Sequence, residues 1–120
     1  MFLGGSMRQP AFELAVDAIG GVLALEARGE IVEGSHDGLR ECLDQATRGG
    51  RPVVLDLSQT EALDDAGVAT LMAAHRGLAT RLRLVVTRGG PVHEALRRAG
   101  VSHVLALHAS RAEALAAAGG

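Results

Sequence analysis

Apolar residues follow two different periods along this chain, and the changes of period predict its secondary structure. Apolar and polar residues alternate from Phe12 to Val16, as on a strand with one solvated face, and a second strand is predicted at 22–27. The Gly20-Gly21 pair between these runs favours a hairpin. Short, nearly continuous apolar runs predict three more strands, at 52–58, 81–87 and 103–107.

Between these strands the apolar residues recur at i, i+3, i+4 and i+7, which predicts helices. The four helices are predicted to begin at Ser35, at Asp64, at Gly90-Pro91 and at the capping-box pair Ser110 and Glu113. Glycines end the first and third helices, at Gly49-Gly50 and Gly100. The predicted buried positions are Leu39, Cys42, Leu43 and Ala46 in the first helix, Val68, Leu71, Met72, His75 and Leu78 in the second, and Val92, Ala95, Leu96 and Ala99 in the third.

The predicted element order is therefore β-β-α-β-α-β-α-β-α. Strands that alternate with helices after an initial hairpin indicate parallel neighbours joined by right-handed crossovers. We expect an α/β fold with a mixed, mostly parallel sheet of about five strands and about four helices, in a single domain at 11–118. Residues 1–10, in which Gly-Gly-Ser precedes a second Met, are predicted to be a disordered leader or a cloning remnant.

Composition excludes several function classes. The chain has two Phe and no Trp or Tyr, so it offers no aromatic platform on which nucleic-acid bases would stack. Its net charge is −2 and its twelve basic residues, all Arg, are scattered, which argues against nucleic-acid binding. No apolar run reaches the roughly 18–20 residues of a membrane span. We expect a cytoplasmic protein without direct membrane insertion.

Candidate catalytic and metal-binding residues form no recognised pattern. Asp64 and Asp65 are adjacent, so on a helix their side chains diverge by about 100°, and the five His are scattered. Ser58 lies in no nucleophile elbow, and Cys42 falls on an apolar helix face. Gly89-Gly90 precedes a helix and offers N–H groups to an anion, but the chain has no Lys and no phosphate-binding loop. We predict no enzyme activity, no metal site and no cofactor.

The segment 53–71, VVLDLSQTEALDDAGVATL, resembles the signature of STAS domains, the family of anti-sigma factor antagonists and of sulphate-transporter cytoplasmic domains. The family pattern is an apolar strand ending in Asp-Leu-Ser, a short linker, and Asp-Ser-Ser-Gly before an apolar helix. The first block matches at 56–58, and Asp64 and Gly67 match the ends of the second. The Gly-Glu-Ile at 29–31 is similar to the family's Gly-Glu-Leu, and the resemblance extends over 12–118.

In the bacterial regulators of this family, a serine or threonine follows the motif's first Asp. An anti-sigma factor with kinase activity phosphorylates this residue; the unmodified domain binds that partner and frees the sigma factor. In this chain Asp65 and Ala66 occupy the two hydroxyl positions, so the resemblance implies that the usual switch is absent. Asp65 is then either a fixed partial mimic of the phosphorylated state or the mark of a partner that does not use phosphorylation.

The resemblance implies a non-enzymatic module that binds an anti-sigma factor of the serine-kinase type, as a monomer or weak dimer. Its expected partner surface is the start of the second helix with loops 33–37 and 88–91. The residues predicted for this surface are Asp64, Asp65, Ala66, Gly67, Ser35, His36, Gly89 and Gly90. Two alternatives stay open: a STAS subunit that binds the ATPase of a lipid-transport ABC system, and a nucleotide-binding module that uses 88–91.

Overall fold

The computed structural model describes residues 12–119, and the leader predicted at 1–10 lies outside this range. A single α/β unit contains β1 (Phe12–Ile19), β2 (Val22–Ile31), α1 (Asp37–Gly49), β3 (Val53–Asp56), β4 (Thr60–Leu63), α2 (Asp65–Leu78), a 3₁₀ turn (Ala79–Arg81), β5 (Leu82–Val85), α3 (Pro91–Arg98), β6 (Ala106–His108) and α4 (Arg111–Gly119). The predicted fold class, α/β with a mostly parallel mixed sheet, is confirmed.

The sheet has the strand order β1-β2-β3-β5-β6, and β4 also pairs with β2. The first pair is antiparallel and the others are parallel. The hairpin predicted at Gly20-Gly21 is confirmed. Both glycines have positive φ, 56° and 85°, as a two-residue hairpin turn requires.

One strand, β4, is missing from the sequence prediction, so the described residues form six strands rather than about five. The ten-residue β2 is longer than its neighbour β3, which pairs only with residues 23–26 of β2. The remaining part of β2 pairs with β4, and the Thr60 hydroxyl donates to the Ala27 carbonyl oxygen at 2.9 Å. The residues of β4, Thr-Glu-Ala-Leu, are too few and too mixed in polarity to predict a strand without knowledge of this free edge.

The two faces of the sheet are covered unequally. Buried residues of α1, α2 and α3 pack with Leu25, Ile31, Leu55 and Leu84 in the larger core. The opposite face has a small cluster in which α4 covers the sheet; it consists of Val22, Val54, Val85 and Ala114. The start of α2, which the sequence predicts to be part of a partner surface, therefore lies on the face of the sheet that α1, α2 and α3 cover.

Several local predictions are wrong. Ser35 does not cap α1, because α1 begins at Asp37; the Ser35 hydroxyl instead accepts from the Val32 N–H at 3.1 Å. Ala99 lies beyond the last turn of α3 and is exposed. The last strand is shorter and later than predicted, at Ala106–His108. The helix end at Gly50, with φ of 69°, and the cap of α4, where Ser110 accepts from the Glu113 N–H at 3.1 Å, are confirmed.

Candidate partner-binding site

The side chain of Asp64 joins two segments that are far apart in the sequence. Its backbone is extended, with φ −94° and ψ −175°, and its Oδ1 accepts from the Gly67 N–H at 2.9 Å, as a helix N-cap does. Its Oδ2 accepts from the Glu33 N–H at 3.0 Å. Glu33 lies in the β2–α1 loop, residues 32–36. One carboxylate therefore caps α2 and also holds this loop beside the helix start.

These contacts favour the ionised form of Asp64. The hydrogen bond from the Glu33 backbone N–H lowers the pKa of this carboxyl below 3.8, and the bond from Gly67 N–H lowers it further. Desolvation opposes this effect, and the nearby His36 adds a smaller favourable interaction. The negative charge also lies at the positive end of the α2 dipole.

Gly67 allows the first turn of α2 to approach β2 and β4 closely. A Cβ at this position would lie 2.5 Å from Leu63 Cδ1 and 2.7 Å from the Ile31 carbonyl oxygen. Such distances are not tolerated without movement of the backbone. The glycine is therefore needed for space, and it sets how deeply the helix start lies on the sheet.

His36 forms a second connection between the β2–α1 loop and α2. The side chain is buried, with 5% exposure, and its Nδ1 lies 2.8 Å from the Val32 carbonyl oxygen. A carbonyl only accepts, so Nδ1 carries the proton. Nε2 lies within hydrogen-bond distance of Thr70 Oγ1, at 3.0 Å. The Thr70 hydroxyl also lies 3.1 Å from the Ala66 carbonyl oxygen.

Asp65 and Ala66 lie between these two connections, in the first turn of α2. Asp65 is exposed, and within residues 12–119 it takes part in no ion pair. Ala66 borders a groove of about 350 Å³ between α1 and α2. The groove is lined by Arg40, Leu43, Asp44, Ala66, Ala69, Thr70, Ala73 and Ala74. The held loop, an exposed carboxylate and a small-residue groove thus adjoin one another.

The β5–α3 loop, residues 86–90, has hydrogen bonds of a different kind. Gly90 N–H donates to the Thr87 carbonyl oxygen at 2.9 Å, and Gly89 N–H donates to His93 Nδ1 at 2.9 Å. Within the described part of the chain, no hydrogen bond connects 88–91 to 33–37 or to 64–67. The inclusion of Gly89 and Gly90 in the partner surface stays a prediction.

A family model for the STAS domain matches residues 13–114. The chain belongs to the STAS domain family. A search of curated proteins gives no match.

Solved structures share the fold of this STAS domain at low identity. An anti-sigma factor antagonist from Mycobacterium paratuberculosis has a TM-score of 0.81 at 22% identity, covering 92% of this chain and 97% of that chain. An anti-sigma-factor antagonist domain protein from Planctomyces limnophilus has a TM-score of 0.70 at 19% identity, covering 88% and 97%. The Bacillus cell fate determinant SpoIIAA in its phosphorylated form has a TM-score of 0.62 at 18% identity, covering 88% and 97%.

Sequence reasoning placed Asp64, Gly67 and His36 in this part of the STAS domain, together with the loop 33–37 that contains Glu33, but it missed the bond from Glu33 to Asp64 and the contact of Thr70 with His36. The role of Glu33 depends on its backbone N–H, which no sequence pattern reports. The sequence contained one indication for Thr70: it is a polar residue among the apolar residues of the α2 pattern.

Over residues 12–119, no group of three His, Cys, Asp or Glu side chains is placed to hold a metal ion. No helix in that range is long and apolar enough to cross a membrane.

Proposed function

We propose that this STAS domain is a non-enzymatic regulatory module of the anti-sigma factor antagonist type. Its partner surface consists of Asp64–Gly67 at the start of α2 and the β2–α1 loop. The observation that carries the proposal is the double hydrogen bonding of Asp64, which holds both segments as one surface beside the exposed Asp65. Similar solved structures are described as anti-sigma factor antagonists, which supports the same role for this chain.

The chemistry of this surface suits a basic partner. Glu33, Asp37 and Asp65 are exposed, and the net charge of the chain is −2. Arg or Lys side chains of a partner would form charge-assisted hydrogen bonds with these carboxylates. The neighbouring groove is bordered by Ala66, Ala69 and Ala73, whose small side chains permit close approach. The expected partner is an anti-sigma factor of the serine-kinase type.

We assign Asp65 the position that carries the phosphorylated hydroxyl in the bacterial regulators of this family. A carboxylate supplies a charge of −1 where a phosphoserine supplies about −1.5 to −2. Asp65 also lies in the first turn of α2, where the helix dipole stabilises either group. On this proposal Asp65 holds the domain in a state that partly mimics the phosphorylated one, with weakened binding to a kinase-type partner.

The test compares Asp65→Asn and Asp65→Ser with the wild type, against anti-sigma kinases from the same genome. If Asp65 is a mimic, removing its charge tightens binding by about tenfold, or 1.4 kcal/mol, in calorimetry. Asp65→Ser is also expected to accept a phosphoryl group from ATP when the kinase is present. Binding and phosphorylation that stay unchanged in both variants would contradict the mimic.

The chain offers a matched control for this experiment. Glu113 is also an exposed carboxylate in a first helical turn, but it belongs to α4 on the opposite face of the sheet. Glu113→Gln removes the same charge from a similar environment. It is expected to leave partner binding unchanged, so an equal effect of both substitutions would indicate a net-charge effect and not a site.

The absence of a hydroxyl at Asp65 and Ala66 favours a second candidate, a STAS subunit that binds the ATPase of a lipid-transport ABC system. Such a partner would use the same surface without phosphorylation. Neighbouring genes distinguish the candidates: a sigma factor and an anti-sigma kinase on one side, a permease and an ATPase on the other. Co-purification with the ATPase, lost on Ala66→Arg, would decide for the second candidate.

A further inference from the structure

A second cleft lies at the carboxyl ends of β5 and β6, where α3 begins. Its volume is about 320 Å³, and it is lined by Val86, Arg88, His93, Leu107, His108 and Ala109. Every ionisable side chain in this lining is an Arg or a His; of the described residues that form it, none carries a carboxylate. The cleft shares no lining residue with the partner surface proposed above.

Hydrogen bonds fix which nitrogen of each histidine is protonated. His93 Nδ1 accepts from the Gly89 N–H at 2.9 Å, so the proton of the neutral ring is on Nε2. His108 Nε2 faces Arg83 Nη1 at 3.4 Å. A guanidinium only donates, so the proton of the neutral His108 is on Nδ1. Each ring therefore keeps one N–H, and no residue in 12–119 accepts from either.

Positive charge around the cleft is not compensated within the described residues. Over residues 12–119 the ion pairs join Arg28 to Glu26, Arg40 to Asp37 and Arg97 to Glu94. Arg83 and Arg88 are in none of them, and the buried Arg83 Nε has no hydrogen-bond partner. Glu94, the carboxylate adjacent to His93 in the sequence, is held by Arg97 at 2.9 Å.

The start of α3 adds further donors beside the cleft. Gly90 is the N-cap residue and supplies no side-chain hydrogen bond, so the backbone N–H groups of Val92 and His93 lack a side-chain cap. The positive end of the α3 dipole also lies at this point. These groups reinforce the charge of Arg88 but would not define a site without the side chains of the cleft.

We propose that this cleft binds a phosphate group. A phosphate has several acceptor oxygens, which suit a guanidinium fork and single N–H donors from different directions. The apolar side chains of Val86, Leu107 and Ala109 form the rest of the wall, which accommodates the remainder of a phosphorylated small molecule. This site is independent of partner binding at α2.

The test is a titration of the ¹⁵N-labelled protein with inorganic phosphate at constant ionic strength, followed by NMR. Saturable shifts are expected at the amides of Gly89, Val92, His93 and His108. Arg88→Gln is expected to weaken binding about tenfold, since it removes one charge-assisted contact. Because Arg88 is exposed, this variant is expected to remain folded. Shifts that do not saturate, or that sodium chloride reproduces, would overturn the proposal.

Arg98→Gln is the matched control, because Arg98 is an exposed Arg at the end of α3 that does not line the cleft. Arg98→Gln is expected to leave the phosphate affinity unchanged. An equal loss of affinity in both variants would show that the effect of Arg88→Gln comes from net charge and not from a contact in the cleft. Titration with adenosine monophosphate tests whether the cleft also binds the phosphate group of a phosphorylated small molecule. Adenosine monophosphate is expected to compete with phosphate for the same amides, and binding without competition would contradict the assignment to this cleft.

Discussion

The β2–α1 loop and the β5–α3 loop both follow parallel strands, but they are held in different ways. In the β2–α1 loop, Glu33 and His36 form hydrogen bonds to Asp64 and Thr70, which are 31 and 34 residues away. The bonds of the β5–α3 loop are local, with Gly89 to His93 and Gly90 to Thr87. The first loop therefore has two bonds to α2 and its N-cap in addition to its local bonds at Ser35 and His36, whereas the hydrogen bonds of the second loop at 87–90 are local over the described residues.

This difference suggests different uses of the two loops. A surface that depends on contacts between distant segments presents a defined shape to a protein partner, and a change at the α2 start reaches the loop directly. A loop that depends on local bonds keeps its donor groups in place whatever happens at α2. Partner binding at the first loop and phosphate binding at the second are then separable by mutation.

The largest expected effect comes from Gly67→Ala. The new Cβ would overlap Leu63 and the Ile31 carbonyl oxygen, so α2 must move away from β2 and β4. We expect a loss of about 2–3 kcal/mol in the free energy of unfolding, measured by urea denaturation, together with loss of partner binding. Gly38→Ala in α1 is the control, because a Cβ there meets nothing within 4 Å; it is expected to stabilise by about 0.4–1 kcal/mol.

A smaller effect is expected from Thr70→Val, which keeps the shape of the side chain but removes the hydroxyl that bonds His36. A buried His36 Nε2 without a partner is expected to cost about 1–2 kcal/mol in the free energy of unfolding. Thr80→Val, at an exposed position of the 3₁₀ turn, is expected to change stability by less than about 0.5 kcal/mol. Equal values for the two variants would show that the His36–Thr70 bond contributes nothing.

The pKa of Asp64 predicts a dependence of stability on pH. Because this pKa is below 3.8 in the folded state, the carboxylate's contribution is complete above pH 3.8 and is lost as the pH falls through the folded value. Asp64→Asn is expected to reduce the difference in unfolding free energy between pH 6 and pH 3, measured by thermal unfolding. If the wild type and the variant lose stability in parallel over this range, Asp64 is not a source of the acid sensitivity.

The smallest effect concerns only local opening. The Glu33 amide, bonded to Asp64, is expected to exchange with deuterium more slowly than the Arg88 amide of the β5–α3 loop. In Asp64→Ala the Glu33 amide is expected to become fast, while that of Arg88 stays unchanged. Similar exchange rates for the two amides in the wild type would contradict the difference between the loops.

Local patterns were sufficient to predict most of the fold. The apolar stripe of α1, the buried run at β3 and the Gly20-Gly21 turn each depend on neighbours within a few residues. The strand β4 was missed because it exists only where β2 extends past β3. Ser35 was wrongly predicted to cap α1, because its hydroxyl finds hydrogen-bond partners at Glu30 and Val32 instead.

Part of the candidate site was likewise predictable from local sequence, and part required the structure. Asp64 as an N-cap follows from its place before an apolar helix. Its second bond, to Glu33, depends on which strands are adjacent and on where β2 ends, so it required the structure. The cleft with Arg88, His93 and His108 likewise unites residues of β6 and of the α3 start, and only the Gly89-Gly90 part of this region was considered from the sequence.

The length of β2 has a consequence for the order of folding. This strand pairs with β1 through a two-residue turn, whereas its other edge pairs with β3 and β4 after about thirty residues of intervening chain. A hairpin forms in roughly 1–10 μs, well before contacts of such separation. The β1–β2 hairpin is therefore suited to act as the nucleus, and the free edge of β2 then selects the register of two later strands. Substitutions in the Gly20-Gly21 turn would accordingly slow folding more than they accelerate unfolding.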